Sequence, residues 1–299
     1  LEPEVHEENE RPCSPMYDGN SRRLLYEVTG HYNYTILASM GILVILLGLV
    51  VMAWATRRLI RTMIGVVMPG ESDNLSDLIF SNLQLSKGPK VVVIGGGTGL
   101  SVMLRGLKAK TYNLTAVVTV ADDGGSTGRI RQDLDIIAPG DLRNCLVALA
   151  DKEGLMEKLF AHRFGGSGNL TGHSFGNLFI AALIEVLGDV EEAMDATSKV
   201  LRVRGKVIPS SAEKLRLNAE MTDGRIPHAH GKIKRVFTTP EHPRAIQSAV
   251  DAIREADAIV LGPGSLYTSI MPNLCVPDIV QAVRTSKAPK IYICNVMTQ

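Results

Sequence analysis

From Ile36 to Ala55 the chain runs 20 residues without a charge, whereas beyond Pro89 its apolar positions come in short blocks parted by polar, glycine-rich breaks. The two patterns predict two different solvents. At about 1.5 Å per residue, 20 helical residues match a hydrocarbon core of roughly 30 Å. One transmembrane helix is therefore expected over 36–56, after an acidic tail over 1–35. A juxtamembrane linker is expected over 57–88, because Met68-Pro69-Gly70-Glu71-Ser72-Asp73-Asn74 and Ser86-Lys87-Gly88-Pro89 are rich in turn formers.

Within 89–299 the apolar pattern alternates between strand and helix. Lys90 to Ile94 reads as a buried strand, Leu100 to Leu107 as a helix and Leu114 to Val120 as a second, β-branched strand, which makes a βαβ unit. Asp141 to Ala150, Gly154 to Phe164, Ser174 to Leu187 and Val190 to Val200 carry apolar residues at helical spacing. Short segments around Val207-Ile208, Leu215 to Glu220 and Lys232 to Thr238 suggest a strand-rich insert. Pro243 to Ala256, Ala258 to Leu261, Pro277 to Thr285 and Ile291 to Val296 restore helix, strand, helix, strand, with Pro243 and Pro277 suited to first helical turns. The expected class is α/β, a mostly parallel sheet with flanking helices. Right-handed crossovers bring all strand C-termini to one edge, where ligands bind in open α/β sheets.

Composition narrows the functional classes. A net charge of +1 on 299 residues gives no basic surface for nucleic acid. Cys13, Cys145, Cys275 and Cys294 lie far apart, without the spacing of a disulfide framework or zinc site. Arg57, Arg58 and Arg61 directly follow the apolar block, against Arg22 and Arg23 further before it, so the charge bias favours a cytoplasmic C-terminal domain on a single-pass protein of the inner membrane. A signal sequence is the competing reading of the block, from Ala53-Trp54-Ala55 as a cleavage site and Ser21-Arg22-Arg23 as a twin-arginine signal. The block exceeds a usual signal core, and arginines rarely follow a cleavage site directly.

The chemistry is expected at the strand ends. Gly95-Gly96-Gly97-Thr98-Gly99 follows the first strand and lets backbone approach a phosphate, although its third glycine is out of register for a dinucleotide fingerprint and argues against an NAD-dependent oxidoreductase. Asp122-Asp123-Gly124-Gly125-Ser126-Thr127 follows the second strand. Its carboxylates can hold Mg²⁺ or accept hydrogen bonds from substrate hydroxyls. Pro139-Gly140-Asp141-Leu142-Arg143-Asn144 opens a helix with Asp141 as N-cap and Arg143 and Asn144 as donors. Gly172-His173-Ser174 and Gly176-Asn177 open another, and His173 suits a general base or phosphate ligand. Gly262-Pro263-Gly264-Ser265-Leu266-Tyr267-Thr268-Ser269 is a second glycine-rich loop. His228-x-His230 is read as an exposed turn.

Taken in order, these motifs from Ile94-Gly95 to Thr268-Ser269 resemble the bacterial gluconeogenesis factor family, over about Gly88 to Gln299. The resemblance implies a Rossmann-like core related to the CofD-like 2-phospho-L-lactate transferases. It implies binding of UDP-N-acetylglucosamine, with Asn273 at a position associated with the UDP-sugar, and a regulatory role in cell shape on gluconeogenic carbon sources. No cofactor is required for binding; Mg²⁺ belongs to the transferase alternative, in which Asp122 and Asp123 are the candidate catalytic residues. It further implies a segment after Gln299 that supplies part of the ligand site. A homo-oligomer and an envelope-synthesis protein partner of unknown identity are expected besides.

Overall fold

A computed structural model describes residues 34–67, 75–122, 124–134, 136–151, 154–168, 170–221 and 233–295. Asp123, Cys13 and the His228-x-His230 turn lie outside these residues. The chain divides into two units, Leu1–Leu75 and Ser76–Gln299.

The described part of the first unit is one helix, α1 (Tyr34–Val67). Its stretch Leu37–Ile60 is long and apolar enough to cross a membrane, with a mean hydropathy of 2.5. The helix runs 11 residues past the expected end at position 56, because nothing from Thr56 to Ile64 breaks it. Thr56 and Thr62 donate their hydroxyls to the carbonyls of Met52 and Arg58, at 2.8 and 2.9 Å, the usual way a hydroxyl is satisfied inside a helix.

The second unit begins inside α2 (Leu75–Ser86), a helix in the stretch read as linker. Its end is tied to the sheet: Tyr112 N donates to Leu85 O at 2.9 Å, and Asn113 Nδ2 donates to Ser86 O at 2.9 Å. Five parallel strands follow, β1 (Val91–Gly95), β2 (Leu114–Val118), β3 (Lys206–Pro209), and, after the hairpin β4 (Arg216–Met221) and β5 (Ile233–Thr239), β6 (Ala258–Leu261) and β7 (Lys290–Tyr292). Their order is β3-β2-β1-β6-β7, with Val93 opposite Ala116 on one side and Val260 on the other.

Several expectations are corrected here. Val207-Ile208 belongs to the outer strand β3 of the main sheet, so the insert shrinks to the antiparallel β4–β5 hairpin. Two apolar residues are too few for periodicity to assign a sheet. The second strand stops at Val118 and the last spans only Lys290–Tyr292. The polar turn after β2 contains a helix, α4 (Gly125–Leu134), whose glycines and hydroxyls hid it. The next helices are α5 (Gly140–Leu149), α6 (Leu155–Ala161), α7 (Phe175–Leu187) and α8 (Val190–Leu201), close to expectation except that α6 is shorter. Before β6, α9 (Gln247–Glu255) leaves Pro243 outside it, whereas Pro277 does open the later helix α11 (Pro277–Thr285).

Between β1 and β2 runs α3 (Gly97–Leu107). Its Leu100 and Leu104 are fully buried and share a core with Val93, Ile94, Ala116, Val117 and Ile259. A second packing centre sits where α6 meets α7. Phe160 is wholly buried there, its ring 5.8 Å from Phe175 edge-on and 5.0 Å from Phe179. Gly176 is required by this contact, since a Cβ on it would lie 2.7 Å from the Phe160 carbonyl. Phe160→Ala is expected to cost about 3–5 kcal/mol, read as a lowered denaturant midpoint; a change under about 1 kcal/mol would contradict the packing described.

Candidate functional site

The strand order places a topological switch at β1. The chain leaves β1 for β2 on one side and reaches β6 on the other, so a crevice opens beyond their carboxyl ends. Gly96, the Thr119–Asp122 segment and the Gly262–Ser265 loop all emerge on this edge. The glycine run is in large part the first turn of α3. Gly97 has φ of 71°, and the N-cap Gly96 offers no side-chain cap to the N–H groups behind it. A helix start of this kind favours an anion.

Part of the glycine signal is packing. A Cβ on Gly99 would stand 3.0 Å from Pro263 O, and one on Gly264 would stand 3.2 Å from Gly96 O. The two glycine loops therefore meet backbone to backbone. Beyond the second loop lies a π-helical turn (Leu266–Ile270) and then the short α10 (Met271–Leu274). Asn273 on α10 is wholly buried and donates to Gly95 O at 3.0 Å and Ser269 O at 2.8 Å. It staples the end of β1 to that turn. Its Oδ1 is buried with no protein partner among the described residues. Ser265 Oγ accepts from Thr268 N at 3.2 Å, Tyr267 is half-buried, and Thr98 is exposed with its carbonyl accepting from Ser101 Oγ at 2.8 Å.

The second set of residues surrounds the start of α5. Asp122 Oδ1 accepts from Gly124 N at 3.0 Å. Asp141 does not cap its own helix: Pro139 holds the N-cap position of α5, without a side-chain bond. The Asp141 carboxylate instead accepts from the Gly97 N–H of α3. Its Oδ2 lies 2.6 Å from where a Cβ on Gly96 would be, so Gly96 must be glycine for this contact. Arg143 is buried and donates from Nη1 to Ser174 Oγ at 2.5 Å and from Nη2 to Asn144 Oδ1 at 2.6 Å. Asn177 is buried, its Nδ2 3.5 Å from Thr127 Oγ1 and its Oδ1 without a protein partner among the described residues. His173 is buried, and Arg129 and Arg163 hold its loop by donating to Thr171 O and Gly172 O.

Burial and the neighbouring Asp122 charge push the Asp141 carboxyl up to about 6, against the pull of the Gly97 N–H and of Arg143. Burial, then Arg163, lowers the Arg143 guanidinium, opposed by Asp141. Helix-start N–H groups and carboxylates thus share one edge, an arrangement suited to an anion that also carries hydroxyls. Among the described residues no three His, Cys, Asp or Glu side chains gather to hold a metal. A hollow of about 470 Å³ opens at the opposite edge, lined by Lys90, Tyr112, Lys206 and Glu255 among others. Its one glycine among the lining residues, Gly205, packs against the Leu114 backbone, and its Lys90–Glu255 ion pair is exposed. The carboxyl edge is therefore the candidate site. Thr127 and Ser174 take part in the network there through their hydroxyls and Ser269 through its carbonyl; the sequence marks Ser174 only as part of a helix start and gives Thr127 and Ser269 no role of their own, because hydroxyls in turns are common.

The family model described as 2-phospho-L-lactate transferase CofD matches residues 91–299. A protein described as gluconeogenesis factor from Bacillus subtilis is 56% identical over 218 residues, 71% of this chain and 69% of its own. One of the same description from Halalkalibacterium halodurans is 55% identical over 220 residues, 71% of this chain and 68% of its own. A Nostoc relative is 53% identical over 266 residues, 87% of this chain; the chain spans only 58% of that relative's length. Among solved structures, a member of the UPF0052 family from Bacillus halodurans superposes with a TM-score of 0.69 at 55% identity, covering 71% of each chain.

The raised Asp141 carboxyl sets a pH dependence. Its folded value lies above the unfolded one near 4, so its contribution to stability is full below about pH 4 and is lost as pH rises through about 6. Asp141→Asn keeps the acceptor for Gly97. It is expected to raise stability at pH 7 by about 3 kcal/mol and to flatten the slope between pH 4 and 6; an unchanged slope in urea titrations would refute the assignment.

Proposed function

Because this chain belongs to the gluconeogenesis factor family of CofD-like proteins, we propose that it is a membrane-anchored regulator that binds UDP-N-acetylglucosamine. The observation that carries this reading is the start of α3 at the carboxyl edge, where the N-cap Gly96 brings no side chain and the Gly262–Ser265 loop packs against the turn. The diphosphate would sit on the N–H groups of that helix start, and the Asp122 and Asp141 carboxylates would accept from sugar or ribose hydroxyls. Asn273 Oδ1, an acceptor with no protein partner among the described residues, is available to a donor from the ligand or a water. On this reading the protein serves cell shape and envelope homeostasis under gluconeogenic growth, as a homo-oligomer with an envelope-synthesis partner, at the cytoplasmic face of the inner membrane.

A transferase of the 2-phospho-L-lactate type is the second reading, favoured by one observation: Asp122 and Asp141 lie near enough for one charge to raise the other's carboxyl. Their oxygens, with the Thr127 hydroxyl, suit a Mg²⁺ that keeps several of its waters. When bound, the ion would neutralise charge on a transferring phosphoryl group. The residues of this chain would orient the hydroxyl that attacks.

Calorimetric titration of UDP-N-acetylglucosamine into the chain, with and without Mg²⁺, tests the first reading. Saturable 1:1 binding without Mg²⁺ is expected. Gly96→Ala, whose Cβ would displace the Asp141 carboxylate, is expected to weaken it at least tenfold. Absence of binding to the wild type defeats the regulator. In Asp122→Asn, retained binding with no turnover in either form supports it further, whereas loss of a measurable Mg²⁺-dependent transfer establishes the enzyme.

A further inference from the structure

The helix α1 is longer than a bilayer requires. Its 34 residues extend about 51 Å, against a hydrocarbon core of roughly 30 Å. The surplus begins where the chemistry of the helix changes. Trp54, Arg57 and Arg58 stand on one face at the i, i+3, i+4 spacing, and Arg61 continues the row at i+7. The Arg58 guanidinium stacks over the Trp54 ring, 5.2 Å from its centroid. Trp54 is 60% exposed, and Leu59 and Ile60, off this row, are also exposed. No acidic residue occurs anywhere on α1, so the row carries three positive charges with no counter-charge of its own helix.

These features match the chemistry of a membrane interface. An indole prefers the headgroup level, and arginines there extend their charged ends towards phosphate oxygens while their stems cover apolar surface. A guanidinium grips a phosphate through paired N–H groups better than an ammonium does. Anionic headgroups add an attraction that grows with each basic residue near the surface. We propose that the Trp54–Arg57–Arg58–Arg61 row is a binding site for anionic phospholipid headgroups, which fixes the depth of α1. The site rests on the reading of α1 as a membrane span.

Trp54 is the only tryptophan of the chain, so its emission reports on this site alone. The full chain is reconstituted into phosphatidylcholine–phosphatidylglycerol vesicles in which one or the other lipid carries brominated acyl chains, and quenching of Trp54 is measured. Flotation of the vesicles is followed in parallel. The brominated anionic lipid is expected to be favoured at Trp54 by about threefold or more. That preference should fall towards one in 1 M NaCl and in the triple variant Arg57→Gln, Arg58→Gln, Arg61→Gln, while flotation persists. Equal quenching by the two lipids would overturn the headgroup site and leave the span intact. Flotation without quenching by either would mean that a second copy covers the row, which also overturns it. Failure to float would remove the span itself and the site with it.

Discussion

The hydrogen bond from the Gly97 N–H to the Asp141 carboxylate joins the two halves of the candidate site. It is formed between elements 44 residues apart in sequence, and it exists only because position 96 carries no Cβ. On one side of this bond lie the glycine turn, the Gly262–Ser265 loop and Asn273. On the other lie Asp122, Arg143, Ser174 and Asn177. A buried carboxylate is costly unless it is bonded and paired, and here an N–H, a neighbouring arginine and the mouth of a helix share that cost. The incomplete compensation shows in the raised Asp141 carboxyl.

Fold and site rest on different parts of the same strands. Val92, Val93 and Ile94 of β1 are buried in the core, while Gly95, the next residue, meets Leu100 and the Gly262 backbone, and Gly96 meets the site residue Asp141 and Thr119. The sheet is held by apolar burial on both faces, as parallel sheets require, so the carboxyl-edge loops are free to carry polar residues. Arg143 shows the limit of that freedom. Its hydrogen bonds go to Ser174 and Asn144, so it holds α5 to the start of α7 as much as it offers charge to a ligand.

The parts of this structure that sequence revealed are those where one physical cause leaves a long trace. The apolar run 36–55 lies within one helix and the β-branched run 91–94 within one buried strand, as their length and composition imply. Ser174 before an apolar helix was legible as a helix start, and it accepts from Asn177 N as a cap should. Where two causes leave the same trace, the reading failed. Asp141 precedes an apolar helix as an N-cap does, yet it caps a different helix; nothing local distinguishes the two. Gly99 and Gly264 look like phosphate-binding glycines and are also what lets two loops touch. Polar glycine-rich sequence covers both a loop and α4, whose burial of Thr127 and Ile130 comes from tertiary contacts. The motifs were placed on one edge by topology alone, and the structure does gather them there.

The pairing of β1 with β6 sets the order of events during synthesis. Val91 meets Ala258, 167 residues later in the chain, and β1 is the centre of the sheet. At roughly 5–20 residues per second, β1 leaves the ribosome many seconds before its second neighbour exists. The helix α1 is made earlier still. In a chain that α1 anchors, the bilayer therefore captures the N-terminus while the whole sheet is unformed, and folding proceeds as a tethered event at the membrane surface. Under that anchoring, unpaired strands of neighbouring chains would be kept at the density of their anchors in the membrane plane, and aggregation during assembly would depend on two-dimensional crowding more than on bulk concentration.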